Sequence, residues 1–404
     1  MSSGGVVEQQ QSSWLVQRLE ASAGPQSFVE VMDWLLNDPQ HGYYGSGQVR
    51  FGAQGDFVTA PTQGPVFAEL LARQLWPCLE ALAAEPGPLT LIEWGPGDGQ
   101  LMCDLIAGIG AEAPAWWDRL ELVLVESSPA LQLRQQQTLA GAPVRLHWCD
   151  PQQLAAEPRR GLILAHELID ALPVQRFGLH NGRWHEWLVG LDGQQQPCWQ
   201  LGAALAPDVV EQLEQLGLPA GGGGRPEGWS SEWCPAMGPW LAQARACLSQ
   251  GWLLAIDYAM PAARYYAPSR DGGTLLACRE QQTSTDLLRD PGRMDLTAHV
   301  CTTLLEQLAA SAGWSWQGAA LQGEVLLQLG LAQEITALSE PGPLPLADRL
   351  SRREQLLRLV DPHLLGGFWW MLLECDARPL PPRPACPPAW WPGVKAAEVA
   401  FGDV

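Results

Sequence analysis

The sequence predicts an α/β fold built on a mostly parallel β-sheet, and two observations support this. Five short apolar segments fit β-strands, and helical stretches separate the first four; the segments are 89–94, 120–126, 144–148, 161–167 and 251–258. Apolar strands that alternate with helices are typical of a parallel sheet whose two faces are both buried. The second observation is a glycine-rich turn directly after the first strand, where such folds bring their backbone close to a ligand.

The chain around this core divides into further predicted regions. Asn181-Gly182, between two alternating segments, predicts a β-hairpin inside an insertion. Residues 313–330 are predicted to form two strands joined by a turn, and residues 331–373 to be mainly helical. The predicted parts are an N-terminal helical region (1–88) with a long active-site loop (38–65), the first part of the core (89–173), an inserted hairpin with helices (174–250), the second part of the core (251–330), and a helical region with a proline-rich tail (331–404).

Composition limits the partners that we expect. The 404 residues carry a formal net charge of −20. Such a surface repels phosphate backbones, which disfavours nucleic acid, and it matches a basic or arginine-bearing protein better. The alternative is that the acidic net charge only keeps the protein soluble. Apolar runs stay shorter than the ~18 residues of a transmembrane helix, so we expect no membrane span.

Cysteine usage and the N-terminal segment predict a location. The ten cysteines are scattered and form no C-x-x-C pair, so neither a metal site nor a redox motif is expected. The N-terminal segment lacks a basic region followed by an apolar one, which disfavours a secretory signal. Together these patterns predict a cytoplasmic protein with reduced thiols.

The glycine turn indicates which cofactor the core binds. Gly95, Gly97 and Gly99 form G-x-G-x-G, whereas a dinucleotide site has G-x-G-x-x-G. Glu93 ends the first strand, and Glu126 ends the second, where a carboxylate can accept both hydroxyls of a ribose. This set favours S-adenosylmethionine (SAM) over NAD, because SAM has no pyrophosphate and its amino group suits Glu93.

Two further residues complete the predicted cofactor site. Asp150 follows the third strand and is placed to accept from the adenine amino group, and Ser127 follows Glu126. Two alternatives remain open: Glu93 as a capping or salt-bridged acid, and Asp150 as a turn residue before Pro151.

Four longer stretches resemble the MidA family of SAM-dependent methyltransferases. The resemblance implies a class I, Rossmann-like core, in which the last strand of a seven-stranded sheet is antiparallel, with SAM as cofactor. Mitochondrial relatives in this family assist assembly of respiratory complex I, and one is similar to a protein arginine methyltransferase. The chain departs from the family's pattern at His166, where Asn is usual, and at Cys301-Thr302, where Asp-Phe is usual. The four stretches are 41–75, 92–105 with 124–135, 162–177, and 255–259 with 295–300 and 322–330.

The end of the fourth strand supplies candidates for the methyl-acceptor site. Glu167 ends this strand and Asp170 comes shortly after it, and a guanidinium is bound well by carboxylates. We predict that Glu167 grips the nucleophile with support from Asp170, while His166 bonds the substrate in place of the family's Asn. The alternatives are that Asp170 caps the next turn and that Glu167 bonds to backbone. His299 is predicted to be a structural residue on a helix.

The long loop at 38–65 is predicted to fold over the cofactor. Asp56, Phe57 and Thr59 would form a lid that excludes water from the reaction. Asp56 is also predicted to be catalytic, and Thr59 to contact the cofactor. The aromatic residues Tyr43 and Tyr44 favour this reading over the alternative of a surface loop held by its own turns.

These observations predict a SAM-dependent methyltransferase that modifies a protein side chain, with arginine as the acceptor, in the assembly of a respiratory-type complex. A homodimer is also considered. A non-catalytic SAM-binding assembly factor and a small-molecule methyltransferase remain as alternatives. A nicotinamide-dependent oxidoreductase is disfavoured by the glycine spacing.

Overall fold

The computed structural model describes residues 14–52, 55–56, 58–83, 86–112 and 119–375. The strands are β1 Gln26–Ser27, β2 Leu89–Trp94, β3 Leu120–Val125, β4 Arg145–Trp148, β5 Arg159–His166, β6 Gln175–His180, β7 Arg183–Leu191, β8 Pro197–Ala204, β9 Ser230–Trp233, β10 Leu248–Asp257, β11 Ala259–Met260, β12 Leu276–Arg279, β13 Gln282–Ser284, β14 Asp295–Thr297, β15 Val300–Cys301, β16 Ser315–Leu321 and β17 Trp369–Cys375.

The helices are α1 (14–21), α2 Phe28–Asn37, α3 Val66–Ala83, α4 Gln100–Glu112, α5 Pro129–Thr138, α6 Pro151–Ala156, α7 Pro207–Gln215, α8 Met237–Ala246, α9 Ala262–Tyr265, α10 Thr302–Ser311, α11 Gln322–Gln328, α12 Leu331–Ala337 and α13 Leu346–Arg358. Short 3₁₀ turns lie at Pro61–Gln63, Ile169–Ala171 and Leu365–Gly367. Within the described residues, no helix is both long and apolar enough to span a membrane.

A seven-stranded sheet forms the centre of the molecule, in the order β16-β17-β10-β5-β2-β3-β4. The five strands β10, β5, β2, β3 and β4 are parallel to one another. β17 is antiparallel to both β10 and β16. The prediction of a Rossmann-like sheet with its last strand antiparallel is confirmed.

The strand β2 shows why these segments are mostly apolar. All six of its residues are buried. Leu89 and Leu91 pack into the cluster formed with α3 and α4, while Ile92 and Trp94 pack into the cluster on the opposite face. Because successive side chains of a strand point to opposite faces, a sheet covered on both sides favours apolar residues at consecutive positions, and in β2 only Thr90 and Glu93 are polar.

Two predictions for the C-terminal third were wrong. The segment 322–330, predicted to contain a strand, forms α11, which buries Val325 and Leu326. The last strand of the sheet is β17, which lies in the region predicted to be mainly helical. Short apolar runs of about seven residues fit a buried strand and a buried helix equally well, so periodicity alone could not separate them.

The insertion contains the predicted hairpin. β6 and β7 pair in antiparallel fashion around Asn181 and Gly182, whose φ angles of 49° and 69° fit a two-residue hairpin turn. Together with β1, β8 and β9 they form a second sheet of five strands. A third, small sheet has the order β13-β12-β14. Its strands lie in the stretch of chain between β10 and β16 of the central sheet.

Candidate active site

A cavity of about 1160 Å³ lies at the carboxyl edge of the central sheet. Its walls include residues at the ends of β2, β3 and β5 and residues that directly follow β4 and β10. This is the edge at which open α/β folds bind their ligands. Eight acids and two histidines line the cavity and, within the described part of the chain, no lysine or arginine does; the acids are Glu93, Asp98, Asp104, Glu126, Asp150, Glu167, Asp170 and Asp295.

The glycine turn needs its three glycines for different reasons. Gly95, Gly97 and Gly99 have φ angles of 72°, 55° and 83°, in the left-handed region that other residues rarely adopt. A Cβ atom would lie 2.7 Å from Leu168 Cδ1 at Gly95 and 3.1 Å from Phe51 Cε1 at Gly97. Gly95 and Gly97 lie on the cavity wall, whereas Gly99 contacts the next helix instead.

Glu126 is held rigidly at the end of β3. Its Oε1 accepts from the backbone N–H of Ser128 at 2.8 Å, and its Oε2 accepts from Gln135 Nε2 at 3.1 Å. Burial raises the pKa of this carboxyl, and these hydrogen bonds oppose the shift. Ser127 lies beside it, exposed on the wall of the cavity. The geometry suits a carboxylate that accepts from hydroxyl groups.

Gln135 is a residue that the sequence did not single out. It is fully buried in α5, and its Nε2 also donates to Gly97 O at 2.8 Å, while its Oε1 accepts from Trp148 Nε1 at 2.9 Å. One side chain therefore joins the glycine turn, Glu126 and β4. Its place within the 124–135 stretch was the available signal.

Glu93 is buried without full hydrogen bonding. It is 2 % exposed, and its Oε2 lacks a hydrogen-bond partner. Burial and the nearby charge of Asp98 raise its pKa to about 8. A buried acceptor without a donor is costly, and a ligand that brings an ammonium group to this end of the cavity would satisfy it. The residues present therefore fit the amino group of SAM.

Asp150 has a structural role as well as a place on the wall. It is the N-cap of α6, where its Oδ1 accepts from Gln153 N at 2.8 Å and its N–H bonds to Gln153 Oε1. The alternative of a turn residue before Pro151 therefore describes its local bonds. It also lines the cavity, so the two roles coexist.

A second group of acids surrounds the end of β5. Glu167 has a φ of 50°, and its N–H donates to Ile256 O at 2.9 Å. Its Oε1 lacks a hydrogen-bond partner and lies 3.4 Å from His166 Nε2. Burial, with the charges of Asp257 and Asp295, raises the pKa of Glu167 well above its usual range.

Asp170 and Asp295 complete this group on the wall. Both are 5 % exposed. Asp295 Oδ1 accepts from Tyr44 Oη at 2.8 Å, and burial raises the pKa of Asp295 to about 7. The pKa of Asp170 is raised by burial and by the charges of Asp257, Asp295 and Glu167. The acids repel one another, so a cationic group placed among them would favour their ionised forms.

Asp257 lies beneath this wall and was not predicted as a site residue. Its Oδ2 accepts from the backbone N–H groups of Ile169 and Asp170 at 2.9 and 3.1 Å. The carboxylate thereby fixes the turn that carries Asp170. The alternative that Asp170 caps this turn does not hold, because the turn has no side-chain cap.

The two histidines of the cavity are uncharged. Burial lowers the pKa of His166 to about 3, so its contact with Glu167 is not an ion pair. His299 lies between β14 and β15, not on a helix as predicted, and burial with two arginines lowers its pKa to about 4. The ring of His299 stacks on Tyr258, with centroids 5.4 Å apart.

The long loop covers the site, but Asp56 does not line the cavity. Asp56 is 2 % exposed and accepts from Tyr43 Oη at 2.9 Å, from Arg50 at 3.1 Å and from the backbone N–H of Glu280 at 3.0 Å. It therefore pins the loop to the β12–β13 turn, so the prediction that it is catalytic does not match its position. Thr59 lies on the wall of the cavity, and Phe57 lies outside the described residues.

The family is identified by comparison with known proteins. Residues 70–320, more than half of the chain, match the family described as "Putative S-adenosyl-L-methionine-dependent methyltransferase". The chain belongs to this family. It is a SAM-dependent methyltransferase, as the glycine spacing and the resemblance to the MidA family predicted.

Similar proteins support the same fold and cofactor. A superfamily member from Burkholderia thailandensis, whose crystal structure contains S-adenosyl-homocysteine, is 25 % identical with a TM-score of 0.78, over 92 % of this methyltransferase and 93 % of that chain. The protein arginine methyltransferase NDUFAF7 of Homo sapiens is 28 % identical over 85 % of this chain and 79 % of its own length. The Drosophila melanogaster homolog is 27 % identical over 72 % and 68 %.

These comparisons contradict the predicted cytoplasmic location. Both arginine methyltransferases, from Homo sapiens and from Drosophila melanogaster, are named as mitochondrial proteins. The pattern of cysteines, on which the prediction partly rested, does not separate the compartments inside a cell.

Proposed function

We propose that this methyltransferase transfers the methyl group of SAM to a guanidinium nitrogen of an arginine in a protein substrate. The observation that carries the proposal is the acidic group of the cavity, Glu167, Asp170 and Asp295, with no lysine or arginine of the described chain on the wall. Partly unpaired, buried carboxylates are a strong binding site for a planar cation with several N–H donors.

The proposed chemistry balances with one carboxylate as proton acceptor. Bound SAM supplies an electrophilic methyl group on a sulfonium. The arginine nitrogen forms the new N–C bond, the S–C bond breaks with its electron pair on sulfur, and the nitrogen loses one proton. Glu167, whose raised pKa lies well above 4.5, accepts that proton in our proposal, and it passes to solvent after release.

The other residues would position the reactants. We assign Asp170 and Asp295 to the far N–H groups of the guanidinium. Neutral His166 has an unbonded Nε2 and is placed to hold Glu167 or the substrate by a hydrogen bond. The cofactor would be held by the other part of the cavity, in which we propose roles for Glu93, Gly95, Gly97, Gly99, Glu126, Ser127, Asp150 and Thr59.

The names of two relatives and the net charge of this chain support a protein substrate in particular. The Homo sapiens and Drosophila melanogaster relatives are named protein arginine methyltransferases. The net charge of −20 also suits a basic partner. We propose a subunit of a respiratory-type complex as the substrate, since the resemblance to the MidA family implies that setting.

Transfer of a labelled methyl group tests this proposal. The purified chain is incubated with SAM that carries a labelled methyl group and with a cell lysate, and modified peptides are identified by mass spectrometry. We expect label on arginine in a small set of proteins, and none with Glu167→Gln. Label on metabolites alone would favour a small-molecule methyltransferase. SAM binding without any label would favour a non-catalytic assembly factor.

A further inference from the structure

The small sheet beside the cavity ends in a free strand edge. β13 pairs with β12, and no other described strand pairs with it. Gln282 and Thr283 are exposed, and Ser284 is half-buried. Thr283 also lies on the wall of the cavity, so this edge adjoins the acceptor site.

The main chain of Thr283 faces outward. A two-residue turn, Glu280-Gln281 with φ angles of 52° and 60°, joins β12 to β13, and Arg279 opposes Gln282. In such a hairpin the pair next to the turn exchanges both hydrogen bonds, and the following pair exchanges none. Thr283 is in that following pair, so its N–H and C=O point away from β12 and toward the free edge.

A row of side chains leads from this edge to the acidic group. Thr283 opposes Cys278, and Cys278 opposes Asp295 on the next strand. All three residues line the cavity. Residues opposite one another on neighbouring strands share one face of a sheet, and two strand spacings separate Thr283 from Asp295 by about 10 Å.

The edge also lacks two of the features that usually prevent pairing, charged side chains and proline. Residues 281–285, with the sequence QQTST, contain no charge and no proline. By contrast, the edge strand β4 carries Arg145 and His147, and the edge strand β8 begins with Pro197. Exposed strand edges are normally blocked by such residues, so an open, uncharged edge at the mouth of a cavity indicates a binding surface.

We propose that the free edge of β13 binds an extended segment of the protein substrate by main-chain pairing, with the acceptor arginine directly beyond the paired stretch. Strand addition of this kind takes its affinity from backbone hydrogen bonds. The inference rests on the proposed function, and it adds that the enzyme recognises a polypeptide backbone as well as a guanidinium.

The test compares a peptide with a small acceptor that cannot pair. The probes are a mixture of nine-residue peptides with one central arginine, and N-acetyl-arginine methylamide. Thr283→Pro removes the outward N–H, which an edge strand tolerates, and Thr283→Val is the matched control with the backbone N–H intact. We expect Thr283→Pro to lower kcat/KM for the peptides at least tenfold through KM, with the small acceptor changed less than twofold. Because Thr283→Val keeps the backbone N–H, its kcat/KM for the peptides should exceed that of Thr283→Pro at least fivefold.

Equal effects on both probes, or no effect on the peptides, would overturn the pairing. Methylation of neither probe by the unaltered enzyme would instead refute arginine as the acceptor, and the pairing with it. Hydrogen exchange on the unaltered enzyme gives an independent readout. With S-adenosyl-homocysteine present, the peptides should slow exchange of the Thr283 amide at least tenfold, and an unchanged rate would contradict the proposal.

Discussion

We propose that one half of the cavity binds the cofactor and the other the methyl acceptor. Carboxylates in the two halves differ in their hydrogen-bond partners. In the cofactor half, Glu126 and Asp150 each accept hydrogen bonds from the protein itself. In the acceptor half, Glu167 Oε1 lacks a hydrogen-bond partner, and burial raises the pKa values of Glu167, Asp170 and Asp295; nearby carboxylates add to the shift, Asp257 and Asp295 for Glu167 and Asp170, and Asp56 for Asp295. Glu126 and Asp150 are thus held by the protein before a ligand binds, whereas Glu167 Oε1, like Glu93 Oε2, is left to accept from a donor of a bound ligand.

The largest expected effect comes from the acceptor half. Glu167→Gln removes the charge that holds the guanidinium but keeps the shape of the side chain. We expect kcat for arginine methylation to fall by about 100-fold or more, as for loss of one positioned catalytic group. The dissociation constant for SAM, measured by calorimetry, should stay within about twofold. A wild-type rate would remove Glu167 from the reaction.

A smaller effect is expected in the cofactor half. Glu126→Ala removes a charged acceptor for two hydroxyl groups. Hydrogen bonds to a charged group contribute about 1.5–3 kcal/mol. The dissociation constant for SAM should rise by roughly 10- to 100-fold. Glu121→Ala, on the same strand but away from the cavity, is the matched control. Equal affinities for the two variants would show that Glu126 does not bind the cofactor.

The pH dependence of SAM binding distinguishes Glu93 from the fully bonded acids. With a pKa of about 8, Glu93 is mostly protonated at pH 6, while an ammonium group prefers its ionised form. Binding should therefore release a proton, and affinity should rise as pH increases from 6 to 7.5, by at most about tenfold per unit. Calorimetry in buffers of different ionisation enthalpy measures the proton release. Glu93→Gln should abolish it; a release that persists would assign the proton to another group.

The smallest effect is expected at the lid. Asp56→Asn keeps the size of the side chain that joins Tyr43, Arg50 and the β12–β13 turn, but weakens its ion pair with the exposed Arg50. Because pairs of this kind contribute at most about 1 kcal/mol, KM for SAM should rise only about two- to fivefold. Steady-state kinetics should show kcat within about twofold. A 100-fold loss of kcat would restore the catalytic role predicted from the sequence.

The same contrast separates what the sequence could predict from what it could not. Glu93, the glycines and Glu126 follow successive strands of one βαβ unit, so their proximity follows from short-range spacing. Glu167 could be placed at the same edge because its strand belongs to the same parallel sheet. Asp257, Asp295 and Gln135 were missed, since their roles depend on contacts between distant segments and on burial, which spacing does not reveal.

The last strand shows the same limit at the level of the fold. Seven strands were expected from the family resemblance, but the last one was predicted within 313–330 instead of at Trp369–Cys375. A short apolar run does not reveal which strand it pairs with. The inserted hairpin was located correctly, since Asn181-Gly182 specifies its turn locally.

The most direct test of the acidic acceptor site is a comparison of two matched peptide mixtures. They differ only in the central residue, arginine in one and lysine in the other, and mass spectrometry counts the methyl groups transferred from SAM. We predict methylation of the arginine mixture, at least about 100-fold slower with Glu167→Gln and absent for lysine. Equal methylation of both mixtures, or of arginine by Glu167→Gln at the wild-type rate, would contradict a carboxylate site built for a guanidinium.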